Sequence, residues 1–95
     1  MNAQPLYAFE VYGGVATLYL RSTLSLRCAS EAMHACDRLP PEVRRLRVDM
    51  RAVRICDERA VDVISQRLRP WRDTREGSTR VDLPGVPVSF EVLAR

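Results

Sequence analysis

Two short groups in this chain carry residue types that could do chemistry. One is Asp49, beside an apolar alternation of Leu46, Val48 and Met50. The other is Cys56-Asp57-Glu58-Arg59, with Asp62 a turn further on. The chemistry they support is recognition. A carboxylate at the start of a helix accepts from a free backbone N–H of the first turn, and a second acid beside it suits the positive end of the helix dipole. An exposed helix opening built this way is a place where ligands and partners are read. Bond-breaking chemistry has no comparable set. There is one histidine, His34, no Gly-x-Ser-x-Gly elbow, and no grouping of acid, base and nucleophile, so the expectation is a protein that is not an enzyme. Three cysteines, Cys28, Cys36 and Cys56, form no paired motif. With only His34 to join them they fall short of a tetrahedral metal site, so no metal or cofactor is expected.

The elements that position these residues follow from periodicity. Leu46, Val48 and Met50 alternate as a strand, and Val53 and Ile55 read as a short connection. Asp57 is the expected N-cap of a helix in which Ala60, Val61, Ile64, Leu68 and Trp71 share a face. Pro70 should end or kink that helix near Arg69, with a further turn through Arg75 and Gly77 as the stop. Upstream, Tyr7, Phe9 and Val11 alternate before Gly13-Gly14, and Val15 to Leu20 return. A two-residue turn there pairs Phe9 with Leu18, Val11 with Ala16 and Tyr7 with Leu20 on one face, and Glu10 with Thr17 on the other. After Arg21-Ser22-Thr23, Ser25 should cap a helix with Leu26, Ala29, Met33, Cys36 and Leu39 inward, ended by Pro40-Pro41. Thr79 to Leu83 reads as a strand and Pro84-Gly85 as a turn.

The stretch RLRVDMRAVRICDERAVDVI resembles the STAS domain family, known from bacterial anti-sigma-factor antagonists. Asp49, Val53, Ile55, Asp57 and Ile64 fit that family's pattern of hydrophobic strand, Asp, hydrophobic linker, then Asp-Ser-Ser-Gly opening a helix. The resemblance implies an α/β fold in which a small mixed β-sheet of about four strands has helices on one face, in the order β-β-α-β-α-β-α. Its last helix would lie over residues 86–93, although Val86, Val88, Phe90 and Val92 alternate as a strand would. The resemblance also implies a protein–protein interaction module. Its partner would be an anti-sigma factor of the kinase-like ATPase fold, met through Cys56, Asp57, Glu58, Arg59 and Asp62.

The chain departs from the family where the switch should be. Glu58, Arg59 and Ala60 stand in place of Ser-Ser-Gly, and the second of those serines is the one phosphorylated in the antagonists. Arg59 has no hydroxyl, and it puts a fixed positive charge where a phosphate would bring about −1.5 to −2. That switch is therefore expected to be missing. The same departure suits a second reading, an accessory subunit of a membrane transport system or sensory assembly.

Composition sets the outer limits. Residues 1–95 make one domain, 46% hydrophobic, with no apolar run near the ~20 residues of a membrane span and no basic-then-apolar leader at Met-Asn-Ala-Gln-Pro. A cytoplasmic protein is expected, and unpaired cysteines agree with a reducing compartment. Net charge is +3, and all 15 basic residues are arginine. They are interleaved with acids along the sequence. Clusters at Arg44, Arg45 and Arg47, and at Arg67, Arg69, Arg72 and Arg75, read as solvated faces. Without a concentrated basic stripe and stacking aromatics, a nucleic-acid-binding domain is the disfavoured reading.

Overall fold

Period-2 and period-3.6 patterns alternate along the chain, and the architecture follows from stacking one on the other. The computed structural model describes residues 7–91. Strands β1 (Tyr7–Tyr12) and β2 (Val15–Leu24) form the hairpin, followed by helix α1 (Leu26–Asp37) and strand β3 (Arg45–Asp57). Helix α2 (Glu58–Arg75), strand β4 (Ser78–Asp82) and strand β5 (Ser89–Glu91) complete the chain. The sheet has five strands in the order β1-β2-β3-β4, with β5 also on β3. β1 is antiparallel to β2, and the other pairings are parallel. The sheet is therefore mixed, with both helices on one face as crossovers.

The hairpin register is the expected one: Tyr7 opposite Leu20, Phe9 opposite Leu18, Val11 opposite Ala16, Glu10 opposite Thr17. Gly13 takes φ of 61° in the turn, which a residue without Cβ does freely. Ala16, Leu18 and Leu20 are buried beneath α1 and α2 together with Leu46, Val48 and Met50 of β3. The helices contribute Ala29, Ala32, Met33 and Cys36 from α1, and Ala60, Ile64, Leu68 and Trp71 from α2. Ser25 caps α1, its Oγ accepting from the Cys28 N–H at 3.0 Å.

Four local expectations are corrected. Val53 and Ile55 are not a connection, because β3 runs unbroken to Asp57. Its register against β2 slips twice, between the Tyr19 and Arg21 pairs and again between Ser22 and Thr23. Each slip inserts an extra residue in β3, so the inward positions move from Met50 to Val53 and then to Cys56, which imitates the end of a strand. β2 likewise continues past Leu20 to Leu24, with Ser22 turned to φ of 60°.

The third correction concerns Pro70, which sits inside α2 without ending it, while the further turn expected through Arg75 is present. Pro70 has no N–H to give the Gln66 carbonyl, and both residues are exposed, on the side of α2 away from the core. Beyond it Trp71 is buried, and its Nε1 donates to the Cys36 carbonyl at 2.9 Å. The left-handed cap is Glu76, φ 50°. Gly77 is required for another reason: a Cβ there would lie 1.9 Å from the Arg44 carbonyl oxygen, where β4 joins β3.

The fourth concerns the tail. The helix expected over 86–93 is replaced by β5 at Ser89–Glu91, in keeping with the alternation of Val86, Val88 and Phe90; positions 92 and 93 lie outside the described residues. β3 is long enough to explain this. β4 covers its first half, ending at Asp49 opposite Asp82. β5 then takes up the same edge, Ile55 opposite Ser89 and Cys56 opposite Phe90. Pairing that edge satisfies backbone groups that a helix would have left open.

Candidate functional site

The opening turn of α2 grows directly out of β3. Asp57 is both the last strand residue and the helix N-cap. Its Oδ1 accepts from the Arg59 backbone N–H and from Arg59 Nε, both at 3.0 Å, and its Oδ2 accepts from Arg59 Nη2 at 2.7 Å. Asp57 is fully buried, and a buried carboxylate requires this kind of pairing. Arg59 thus folds back over its own cap, and its guanidinium is held protonated first by that bond to Asp57.

Asp49 is bound the same way. It accepts from the Arg51 N–H at 3.0 Å, from Arg51 Nε at 3.0 Å and from Nη2 at 2.8 Å. The Arg51 hydrogen bond holds the Asp49 carboxyl down to about 2. An Asp-x-Arg spacing occurs at both places in the sequence. It is the local signal that identifies these chelates, since two residues on, in extended chain or at a helix start, returns an arginine to its acid.

The five candidate residues divide into two kinds. Cys56 and Asp57 are buried and shape the surface without offering their side chains to it. Burial pushes the Cys56 thiol up, with the Asp57 charge adding to it, and its Sγ lies 3.3 Å from the Asp57 carbonyl. Cys36 is pushed to about 12 and Cys28 is also raised, so all three thiols stay protonated and weakly nucleophilic. Glu58 and Asp62 are exposed on one edge of α2, and Arg59 is half-buried between them.

That edge is one wall of a groove of about 670 Å³ that the motif did not reveal. Its floor is Met50, Val53, Cys56 and Ile64. Its far wall is the segment between β4 and β5 together with Phe90 of β5; Leu83, Val86 and Phe90 are 69%, 51% and 60% exposed. The groove exists because β4 leaves β3 at Asp49 and β5 returns only at Ile55, so the chain between them swings outward. Read from the sequence, the alternation of Val86, Val88 and Phe90 carries this information, provided those residues are assigned to a strand. Among the described residues, no group of three or more His, Cys, Asp or Glu is placed to hold a metal ion. No helix of the described residues is long and apolar enough to cross a membrane.

No protein-family model matches the chain, and no curated protein matches it. Solved structures do. The chain is similar to Mglu, with a TM-score of 0.72 and 18% identity over 82% of this chain. It is similar to the anti-sigma factor antagonist SpoIIAA in its unphosphorylated form, TM-score 0.70 and 12% identity, covering 93% of this chain and 89% of that one. It is also similar to an antisigma-factor antagonist STAS domain from Rhodobacter sphaeroides, TM-score 0.59 and 13% identity, over 79% and 82% of the two chains. The chain spans only 19% of the Mglu structure, and 22% of Mglu in its native form. At these identities the likeness is one of fold, and the fold is STAS-like.

Proposed function

We propose that this domain is a protein-interaction module of the anti-sigma-factor-antagonist type, and that its partner docks on the opening edge of α2 and the groove beside it. The observation that carries the reading is the groove itself. Leu83, Val86 and Phe90 form an exposed apolar wall facing the acidic edge of Glu58 and Asp62. An apolar surface rimmed by charge is the usual form of a protein docking site. The STAS-like fold supports the class, since two of the similar structures are anti-sigma-factor antagonists by name. In this reading the partner is an anti-sigma factor of the kinase-like ATPase fold. Cys56 and Asp57 hold the surface in shape, while Glu58, Arg59 and Asp62 meet the partner.

Arg59 removes the hydroxyl that such a partner would phosphorylate, and its guanidinium is committed to Asp57. The module is accordingly always competent, or is controlled by something other than phosphate on that turn. A second reading, an accessory subunit of a transport or sensory assembly, is favoured by one fact: the same fold recurs as about a fifth of a much longer chain.

The test is to recover the proteins bound to this domain in its native cell and identify them. Affinity for each is then measured with Asp62→Arg and Phe90→Ser, and with Arg69→Ala on the remote part of α2 as control. The first two should weaken binding at least tenfold and the control should leave it unchanged. Equal affinity for all three would remove the proposed surface. A permease or transport ATPase as the bound protein would favour the second reading.

A further inference from the structure

The helix-free face of the sheet is not the neutral solvated surface that the scattered arginines suggested. Alternation along three different strands brings them together. Thr17, Arg47 and Arg80 lie in one row across β2, β3 and β4, and Tyr19, Asp49 and Asp82 lie in the next. Arg21 and Ala52 follow, past the first register slip. On this face the acids are recessed and the arginines stand over them. The side chains of Asp49 and Asp82 are only 8% and 11% exposed, while those of Arg47, Arg51 and Arg80 are 40%, 62% and 72% exposed. Arg47 and Arg80 both hold Asp82, and Arg51 holds Asp49 with two parallel bonds. Arg54 is anchored through Nη1 to the carbonyls of Arg51 and Val53, at 3.0 and 3.2 Å. An approaching molecule therefore meets an outer layer of guanidinium groups, and the recessed acids Asp49 and Asp82 hold Arg47, Arg51 and Arg80 in place. Glu10 on the outer strand β1 and Glu91 on β5 are the exposed acids that the register places on this face, each on a strand that Tyr19, Arg21, Arg51 and Arg54 do not belong to.

At the register slip this layer surrounds a hollow of about 510 Å³, lined by Tyr19, Arg21, Asp49, Arg51, Ala52 and Arg54 together with Leu20. A planar ring beside preorganised guanidinium groups suits a base next to its phosphates. Unpaired bases splay onto open sheets and stack on aromatic side chains, with arginine on the backbone. A duplex would need an element that enters a groove, and this face is the plain open side of a five-stranded sheet. A second copy of the face would meet the same positive layer, so self-association through it is disfavoured. We propose that the helix-free face of the sheet binds single-stranded nucleic acid, with phosphates on Arg21, Arg51 and Arg54 and a base stacked on Tyr19. The proposal is independent of the α2 groove, which lies on the opposite side of the sheet.

The experiment is fluorescence anisotropy of the whole chain with a labelled oligouridylate and, separately, a labelled oligodeoxythymidylate. A duplex of equal length and a polyglutamate peptide serve as competitors. At low salt, one or both single strands should bind. Three neutralised phosphates give a log–log salt slope of about −2, at roughly 0.7 per phosphate on a single strand. Arg21→Glu with Arg54→Glu should weaken binding by more than about tenfold, and Tyr19→Ala by roughly tenfold, with Tyr19→Phe restoring it. Because Arg21 and Arg54 are exposed, that double variant leaves the core intact even if Tyr19→Ala perturbs folding. Absence of single-strand binding at low salt would overturn the proposal. So would displacement by polyglutamate at equal charge with no response to Tyr19→Ala, which would mark the face as a dock for an acidic protein.

Discussion

The two ends of α2 are built to opposite purposes. At its closing end, Trp71 is buried and hydrogen-bonded to Cys36, and the Arg75 guanidinium lies 4.6 Å over the Trp71 ring. Arg75 also donates to the carbonyls of Pro40, Leu39 and Val43 at 2.7, 2.9 and 3.1 Å. It ties α2 to the end of α1 and to the loop into β3, and Arg67 adds an ion pair to Asp37. These two arginines are structural, not members of a solvated basic face. At the opening end, the buried part stops at Asp57 and Ala60, and Glu58, Asp62 and Ser65 stand free beside an uncovered apolar wall. The difference teaches how a small domain exposes a surface without loosening. The side-chain ties from α2 to α1 and to the loop into β3 are gathered at the remote end, away from the opening turn.

The contrast is broken most severely at the closing end. Trp71→Ala removes a buried ring and its hydrogen bond, and should cost ~4 kcal/mol in urea unfolding. Gly77→Ala forces a Cβ against the Arg44 backbone, which must move, and should cost ~2–3 kcal/mol by the same measurement. A loss below ~0.5 kcal/mol for either would mean the closing end does not carry the fold. At the opening end, Asp57→Ala loses the cap and the partner of Arg59, with an expected cost of ~1 kcal/mol. Glu58→Ala and Asp62→Ala should fall within ~0.5 kcal/mol of the unaltered chain in thermal unfolding, while lowering partner affinity.

A titration sharpens the picture on the sheet. Asp49 is held at about 2 against an ordinary 3.8, so its contribution to stability is complete above the ordinary value and is lost as pH falls toward 2. Following its carboxyl carbon by NMR should show ionisation persisting to about that value, and Arg51→Ala should return it toward 3.8. A midpoint unmoved by Arg51→Ala would show that the chelate does not govern the acid.

Legibility in the sequence followed the range of the interaction. The Asp57 and Ser25 caps and the hairpin register depend on neighbours within a few residues, and all three were readable. The course of β3 was not, because its two inserted residues have meaning only against β2. Helix propensity around Pro70 was overridden by burial of Trp71 one residue later. The tail was misassigned because its strand pairs with Cys56 and Asp57, far back in the chain. Of the candidate site, the acidic edge was legible from helical spacing, whereas its apolar wall depended on where the tail lay.

The residues alone settle what is local: which segments alternate, which carboxylates cap helices, that position 59 carries a guanidinium and no hydroxyl, and that no helix-length apolar run is present. Only the tertiary structure decides what becomes a neighbour of what. Parallel pairing brings Arg47 beside Arg80 and Asp49 beside Asp82, and turns arginines dispersed along the chain into one layer. The same pairing opens the groove beside α2, since a strand edge of β3's length needs two partners and they do not meet. Backbone hydrogen bonding between distant segments sets those juxtapositions, and it leaves no trace in local periodicity.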